Sequence, residues 1–376
     1  MSDVVKWLTS DMQGAPQVTN DWGVLVTMLD ACLINGFNTQ NPTAVTRSGS
    51  TVTLTFSGGG HGFVQHQVIV VSGAVEAEYN GEHRVTAVTG TTVTFTIAET
   101  PASPATGTIA VKTAALGFEK PFSGTDKAVY RSPNLDSTRM FLRVDNSLAA
   151  GWNAAYAKFG KVTIADAMSD VDTFTGSQAP FEPSDPNRNH VLTGSGTTAF
   201  NGWAKWYYAK NGADTGTPTA GNRKWVLIGD DKGFYLSIAW QPTPVENRAM
   251  YAFGDFVSLN SGEVYNCLLQ SRLSYLAANS STDGNTFDNA ALFNANQSNA
   301  LAVKPASGVG SPVFVGGRTI APGPNQISGW INSPQIPSPN SSDGANLFAP
   351  TYLAQTATQN ASAASGLRWL SASIAS

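Results

Sequence analysis

The sequence predicts a mainly β protein, and three observations carry the prediction. Threonine alternates with large apolar residues at Val52, Leu54 and Phe56 and again at Val93, Phe95 and Ile97, the period of a strand with one wet and one packed face. Glycine and proline number 36 and 20 in 376 residues, more than a helical bundle carries. The clearest helical spacing is confined to residues 21–34. The expected architecture is an N-terminal helix, a small β-barrel or sandwich module, a larger β-rich domain and an extended proline-rich C-terminal arm, with boundaries at 1–41, 42–115, 116–270 and 271–376.

In the first segment Trp22, Leu25, Val26, Met28, Leu29, Cys32 and Leu33 share one helical stripe, and Asn35-Gly36 supplies residues that tolerate the left-handed region at a helix end. Val24, Ala31 and Ile34 widen the stripe, so the helix needs a large apolar neighbour, either the chain's own body or another subunit. In 42–115, Gly58-Gly59-Gly60 ends the first strand, Val68-Ile69-Val70-Val71 reads as a buried strand, Asn80-Gly81 as a type I′ hairpin turn and Ile109-Ala110-Val111 as the closing strand.

In 116–270, Arg139 to Val144 alternates charged edges with apolar positions. Trp225 to Ile228 leads through the polar turn Gly229-Asp230-Asp231-Lys232-Gly233 into Phe234 to Trp240, a hairpin, and Tyr251 to Val257 forms a further strand. Alanines around Trp152 and Tyr156 predict a second helix before Lys158. Beyond 271, eight prolines from Pro305 to Pro350 interrupt an Asn/Ser/Gly-rich stretch that should run as an extended arm without long ladders.

Two resemblances follow from these residues. Gly60-His61-Gly62-Phe63, Val68 to Gly73, Tyr79-Asn80-Gly81, Val85 to Val88, Thr91 to Thr96 and Pro101 to Gly107 resemble a small β repeat of bacteriophage virion proteins and large adhesins, which implies a spacer or attachment module. Gly160-Lys161-Val162, Met168 to Thr173, Trp225 to Asp230, Phe234-Tyr235-Leu236 and Tyr251 to Phe256 are similar to an uncharacterised family of tailed-phage structural proteins. So are Val5-Lys6-Trp7 to Pro16 and Leu29 to Phe37. The resemblances imply a virion component and no active site.

Charged residues make up 13% of the chain, roughly half the ~25% of ordinary soluble domains. Lys plus Arg at 22 against Asp plus Glu at 26 gives −4, which excludes nucleic-acid wrapping by bulk charge. Cys32 and Cys267 allow at most one disulfide and no cysteine-based metal cage, and Cys32 lies in an apolar run. No stretch reaches ~18 uninterrupted apolar residues, and Met1 to Trp7 lacks a signal peptide's basic start and apolar core. The expectation is synthesis in the host bacterial cytoplasm and no membrane insertion.

Candidate chemistry is sparse. His61 and His66 lie five apart beside Gly58-Gly59-Gly60; a transition metal would need a third and fourth ligand, which only His83 or Glu82 could supply by folding close, and a turn histidine and a strand histidine are the favoured reading. Asp166, Asp170 and Asp172, Asp230-Asp231 and Asp283-Gly284-Asn285 lack the loop of a calcium site and read as solvated turns. Glu76, Glu78, Asp145, Glu182, Asp255 and Glu263 could form a hydrolytic pair only if the fold joined two of them. Ser195 lacks the flanks of a nucleophile elbow, with only His190 nearby. Trp203, Trp206, Tyr207 and Tyr208 suit core or interface anchors better than a sugar platform.

These readings predict no enzyme and no cofactor. They predict a structural protein of a tailed-phage tail, tip or baseplate, contacting copies of itself and other virion proteins. Trp7, Leu8, Trp22, Leu25, Leu29 and Phe37 are the expected docking anchors, with Trp330, Ile331, Phe348 and Trp369 in the arm. The alternative is a receptor-binding protein that recognises host-surface glycans.

Overall fold

The computed structural model describes residues 5–149, 151–179, 204–211, 214–243, 248–258 and 267–273, and the strands between 287 and 373. Side chains are described through 243, apart from the gaps, and then at 251–255, 267 and 269. The fold is mainly β, with one short α-helix, and among the described residues no sheet closes into a barrel.

The chain opens with β1 (Lys6–Thr9), α1 (Val24–Asp30), a π-helical turn Ala31–Asn35 and β2 (Phe37–Gln40). Gly23, at φ +84, turns the chain into α1, and Asn146 supplies the cap: its Oδ1 accepts from the Leu25 amide at 3.0 Å. The helical segment ends at Gly36, at φ +69, as Asn35-Gly36 predicts.

The apolar stripe is covered by the chain's own body. Leu25, Met28, Leu29, Cys32 and Leu33 are fully buried in one core with Leu142, Val144, Val162, Trp206 and Leu236. A Cβ on Gly160 would meet Leu25 at 2.8 Å and Val144 at 3.1 Å, so the helix rests on the sheet where a strand offers no side chain. The first forty residues therefore do not stand apart as a docking segment.

Next come β3 (Ala44–Ser48), β4 (Thr51–Thr55), β5 (Val68–Ala74), β6 (Gly81–Arg84), β7 (Ala87–Val88), β8 (Thr92–Thr96) and β9 (Gly107–Thr113). They form a sandwich of two four-stranded sheets, β2-β9-β5-β6 and β3-β4-β8-β7. Val52 faces Phe95 and Leu54 faces Val93 in register, and with Val45, Ile69, Val71, Tyr79 and Val111 they form a separate core.

Asn80-Gly81 is not a type I′ turn. Residues Ala77–Tyr79 make a 3-10 turn and Asn80 is extended, at φ −77 and ψ 154, whereas type I′ needs positive φ at both central residues. The Asn80 carboxamide instead binds both backbone groups of Ala74, at 3.0 and 2.8 Å.

The body contains β10 (Glu119–Gly124), β11 (Lys127–Arg131), β12 (Phe141–Asp145), β13 (Lys158–Ala165), β14 (Met168–Asp170), β15 (Thr173–Phe174), β16 (Gln178–Ala179), β17 (Ala204–Ala209), β18 (Trp225–Gly229), β19 (Gly233–Ala239), β20 (Arg248–Ser258) and β21 (Cys267–Leu273). Its main sheet runs β1-β18-β19-β20-β21-β17-β13-β12-β11-β10, with antiparallel neighbours throughout. The β18–β19 hairpin matches its prediction, and Asp230 Oδ1 accepts from the Lys232 and Gly233 amides to shape the turn.

Two expectations fail here. Residues 151–157 form turns instead of a helix: Gly151 takes φ +83, and Asn153 Oδ1 captures the Ala155 amide at 2.9 Å, a local bond that competes with helix. β12 has no wet edge, because Arg143 is 2% exposed and every residue of the strand is buried.

Beyond β21 come β22 (Phe287–Phe293), β23 (Leu301–Ala302), β24 (Val313–Val315), β25 (Arg318–Ile320), β26 (Gly329–Ile331), β27 (Asn346–Tyr352) and β28 (Leu367–Ser373). This region is not a ladder-free arm: β22 pairs with β21, β26 with β20 and β27 with β28 over seven residue pairs. Pro350 lies within β27, opposite Trp369 of β28; the prolines from Pro305 to Pro339 lie outside the described residues.

Candidate functional site

Register alone brings charged residues together across the sheet. Lys127 of β11 faces Asp145 of β12, Asp145 faces Lys161 of β13, and Lys161 faces Lys205 of β17. Lys161 Nζ lies 3.0 Å and Arg143 Nη2 3.3 Å from Asp145 Oδ2. Arg143 also donates Nε to the Val171 carbonyl at 2.6 Å and pairs with Asp172, which Lys127 binds as well. These bonds hold the β14–β15 hairpin against Val129, Phe141 and Ala165. Burial pushes the Asp145 carboxyl up, but Lys161 and Arg143 outweigh it and hold the group at about 2. Such a carboxylate is locked as an anion and cannot donate a proton at neutral pH.

A second cluster lies farther along the same strands. Asp214 accepts from Lys210 Nζ at 2.6 Å, Tyr207 Oη at 2.7 Å and Lys205 Nζ at 3.3 Å. Burial raises its pKa, while Lys210, Lys205 and the Tyr207 hydroxyl bring it below the usual carboxylate range.

At one end of the sheet, Asp230 and Asp231 in the β18–β19 turn and Asp255 on β20 meet the β11–β12 loop. Asn134 Nδ2 donates to Asp231 at 3.2 Å, and Asp255 accepts from Thr138 Oγ1 at 2.6 Å and Ser137 Oγ at 3.0 Å. Burial, with Asp231 adding to it, pushes Asp230 up to about 6. Burial also raises Asp255 against the hydrogen bonds it accepts.

Among the described residues no group of three or more His, Cys, Asp or Glu is placed to hold a metal. His61 is buried, with Nδ1 accepting from the Phe63 amide and Nε2 against the Thr89 carbonyl. His83 stacks on Phe95, its Nε2 against the Tyr79 carbonyl. Glu76 binds Thr106. His190, Ser195, Trp203, Glu182, Glu263 and Asp283 lie outside the described residues. Trp206, Tyr207 and Tyr208 are fully buried, so these three rings are core and none of them faces a sugar.

The expected N-terminal anchors are likewise committed within the chain. Trp7, Leu8, Leu25, Leu29 and Phe37 belong to the body's core, and Trp22 packs edge-on to Phe159 at 5.7 Å. In the described fold these side chains are part of the chain's own core. Trp330 and Ile331 fall on β26, Phe348 on β27 and Trp369 on β28; their side chains lie outside the described residues.

Sequence reasoning missed Lys6, Arg143, Asn146 and Asp214. Lys6 Nζ donates to Glu82 Oε1 at 2.5 Å and to the Ala115 carbonyl at 2.7 Å, and Arg84 reaches back to the Val5 carbonyl at 3.0 Å. This joins the sandwich to the body where the chain crosses between them. Lys6 had one available signal, a lone cation between Val5 and Trp7 in an apolar strand.

No family model matches the chain, and no curated protein does. Among solved structures the chain is similar to "Phage phi92 endosialidase" at 13% identity and a TM-score of 0.19, over 75% of this chain and 46% of that one. The chain thus spans less than half of that protein's length, and a likeness at this TM-score carries no argument about activity.

Proposed function

We propose that the chain is a non-enzymatic structural component of a tailed-phage virion, stationed in the tail, tip or baseplate, that works through contacts with other virion proteins. The reading rests on the sequence resemblances to phage structural proteins together with one observation: the sandwich is fixed to the body through Lys6. Its ammonium bridges Glu82 of the sandwich and the Ala115 carbonyl at the crossover. A buried ammonium shared among several acceptors ties the two parts together, which suits a part that holds neighbours at a fixed separation. The charged groups described in the body also serve packing: Asp145 and Asp214 are each held by two or more cations.

The glycan-recognition alternative loses the feature that motivated it, since Trp206, Tyr207 and Tyr208 are enclosed. The test is to locate the chain in purified particles of a phage that encodes it, by cryo-electron microscopy with an epitope-tagged copy. Regular density at a tail, tip or baseplate position is expected. A chain absent from particles and present only in infected-cell lysate would overturn the reading.

A further inference from the structure

Segment 18–22 crosses from the stretch before β18 to the start of β13. Val18 pairs with Arg223 through an isolated bridge, Asn20 Nδ2 donates to the Pro218 carbonyl at 3.1 Å, and the Trp22 ring faces Lys158, whose Nζ lies 5.7 Å from the ring centroid. The Tyr208 hydroxyl fixes the middle of the segment by donating to the Asp21 carbonyl at 2.7 Å. Lys158 is 3% exposed and Arg223 is fully buried.

Each of these side chains has bonding capacity to spare. Arg223 donates both terminal nitrogens to the Thr219 and Gly221 carbonyls, while its buried Nε has no partner. Lys158 Nζ donates to the Tyr156 carbonyl at 2.6 Å, one use of the three donors an ammonium carries. Trp22 Nε1 and Asn20 Oδ1 are also buried without a partner, and the bond from Nδ2 to Pro218 fixes which end of the Asn20 carboxamide is the oxygen. Among the described residues neither cation forms an ion pair; Asp21 is exposed and holds the Thr19 hydroxyl at 2.6 Å.

Buried cations are ordinarily paired, and these two act on each other: burial lowers the Lys158 pKa and the charge of Arg223 lowers it further, against Asp21. Water would satisfy the spare hydrogen bonds but would leave two positive charges out of bulk solvent. An oxyanion does both. The Asn20 oxygen adds a requirement, since it accepts only from a ligand that also carries a hydroxyl. We propose that Asn20, Trp22, Lys158 and Arg223 form a binding site for hydrogenphosphate, whose oxygens take the three N–H donors and whose hydroxyl donates to Asn20 Oδ1. The inference is independent of the virion reading. A bound ion would clamp segment 18–22, and through it α1, to β13 and to the stretch before β18.

The experiment titrates inorganic phosphate into the full-length chain in phosphate-free buffer at fixed ionic strength. Sulfate, which carries no hydroxyl at neutral pH, is the comparison. Calorimetry should show saturable phosphate binding, and the melting temperature should rise with phosphate and much less with sulfate. Trp22→Phe keeps the ring and removes one donor, so phosphate should bind about tenfold more weakly. Lys158→Met removes one of the two buried charges; it should melt no lower than wild type without phosphate and should lose the phosphate response. Absence of saturable binding to the wild-type chain overturns the site, and so does an equal rise with phosphate and sulfate in wild type and Lys158→Met. Should Lys158→Met fail to fold, Trp22→Phe decides alone, and wild-type affinity in that variant overturns the assignment.

Discussion

The Asn146 side chain caps a helix far back in the sequence: its Oδ1 accepts from the amide of Leu25, 121 residues earlier, at 3.0 Å. Its Nδ2 meanwhile donates to the Phe159 carbonyl at 3.1 Å and the Tyr208 hydroxyl at 2.9 Å. One fully buried carboxamide thus ties α1 to β13 and β17, and the helix needs no cap of its own. Asn146→Ala should cost about 2–4 kcal/mol, an N-cap plus donors left without partners in the core. Urea denaturation checks this, and a loss below ~1 kcal/mol would show the cap to be dispensable.

Docking through α1 predicts that Leu25→Asp with Leu29→Asp stays soluble and folded yet fails to enter particles. Burial predicts the opposite. Each leucine is fully enclosed; truncation of such a residue to alanine alone costs about 2–5 kcal/mol, and an unpaired carboxylate costs more. The double variant should be insoluble or unfolded by circular dichroism. A folded, soluble double variant that is excluded from particles would restore the docking role.

Gly160 makes the helix contact sensitive to one methyl group. A Cβ there meets Leu25 at 2.8 Å, so Gly160→Ala should destabilise by about 1–3 kcal/mol through overpacking. Gly160→Ala combined with Leu25→Ala should recover part of that loss in a double-mutant cycle; strictly additive effects would place the strain elsewhere.

The fold raises the Asp230 pKa from 3.8 to about 6, so it favours the neutral acid. The associated stability is fully present below pH ~3.8 and is lost as pH rises through ~6. Between pH 7 and pH 5 this group should add about 1 kcal/mol. Asp255 is shifted in the same direction, whereas His66 and His83, with lowered values, lose stability as pH falls. Comparison with Asp230→Asn, which keeps the turn's acceptor, isolates the contribution: the variant's stability should depend less on pH over this interval. Equal slopes for the two proteins would contradict it.

Lys6→Met should loosen the sandwich from the body while leaving the sandwich core intact, because the lysine's acceptors are the Ala115 and Leu116 carbonyls at the crossover and Glu82 on β6, which is not part of that core. Small-angle scattering should show a larger radius of gyration, and proteolysis near 114–118 should accelerate. Unchanged scattering would mean that Arg84 and the backbone suffice.

What could be read along the chain was whatever depends on neighbours in sequence. Alternation at Thr51–Thr55 and Thr92–Thr96, the helical spacing of Leu25, Leu29 and Leu33 and the stop at Gly36 reflect local geometry and solvent sorting, and those elements formed as expected. A stripe of leucines does not say which surface covers it, so only packing could decide that α1 is internal, because Gly160, on which it rests, lies in β13, far from the helix in sequence. The ionic row from Lys127 through Asp145 and Lys161 to Lys205 exists only in strand register, which spacing does not encode. Before Lys158 the alanine content signals helix propensity, while Gly151 and the Asn153 side chain set the local backbone to turns. Composition settled that few charges would be present; tertiary structure decided that many of them are buried, since charge pairs are retained inside where strand pairing brings opposite signs within reach of one another.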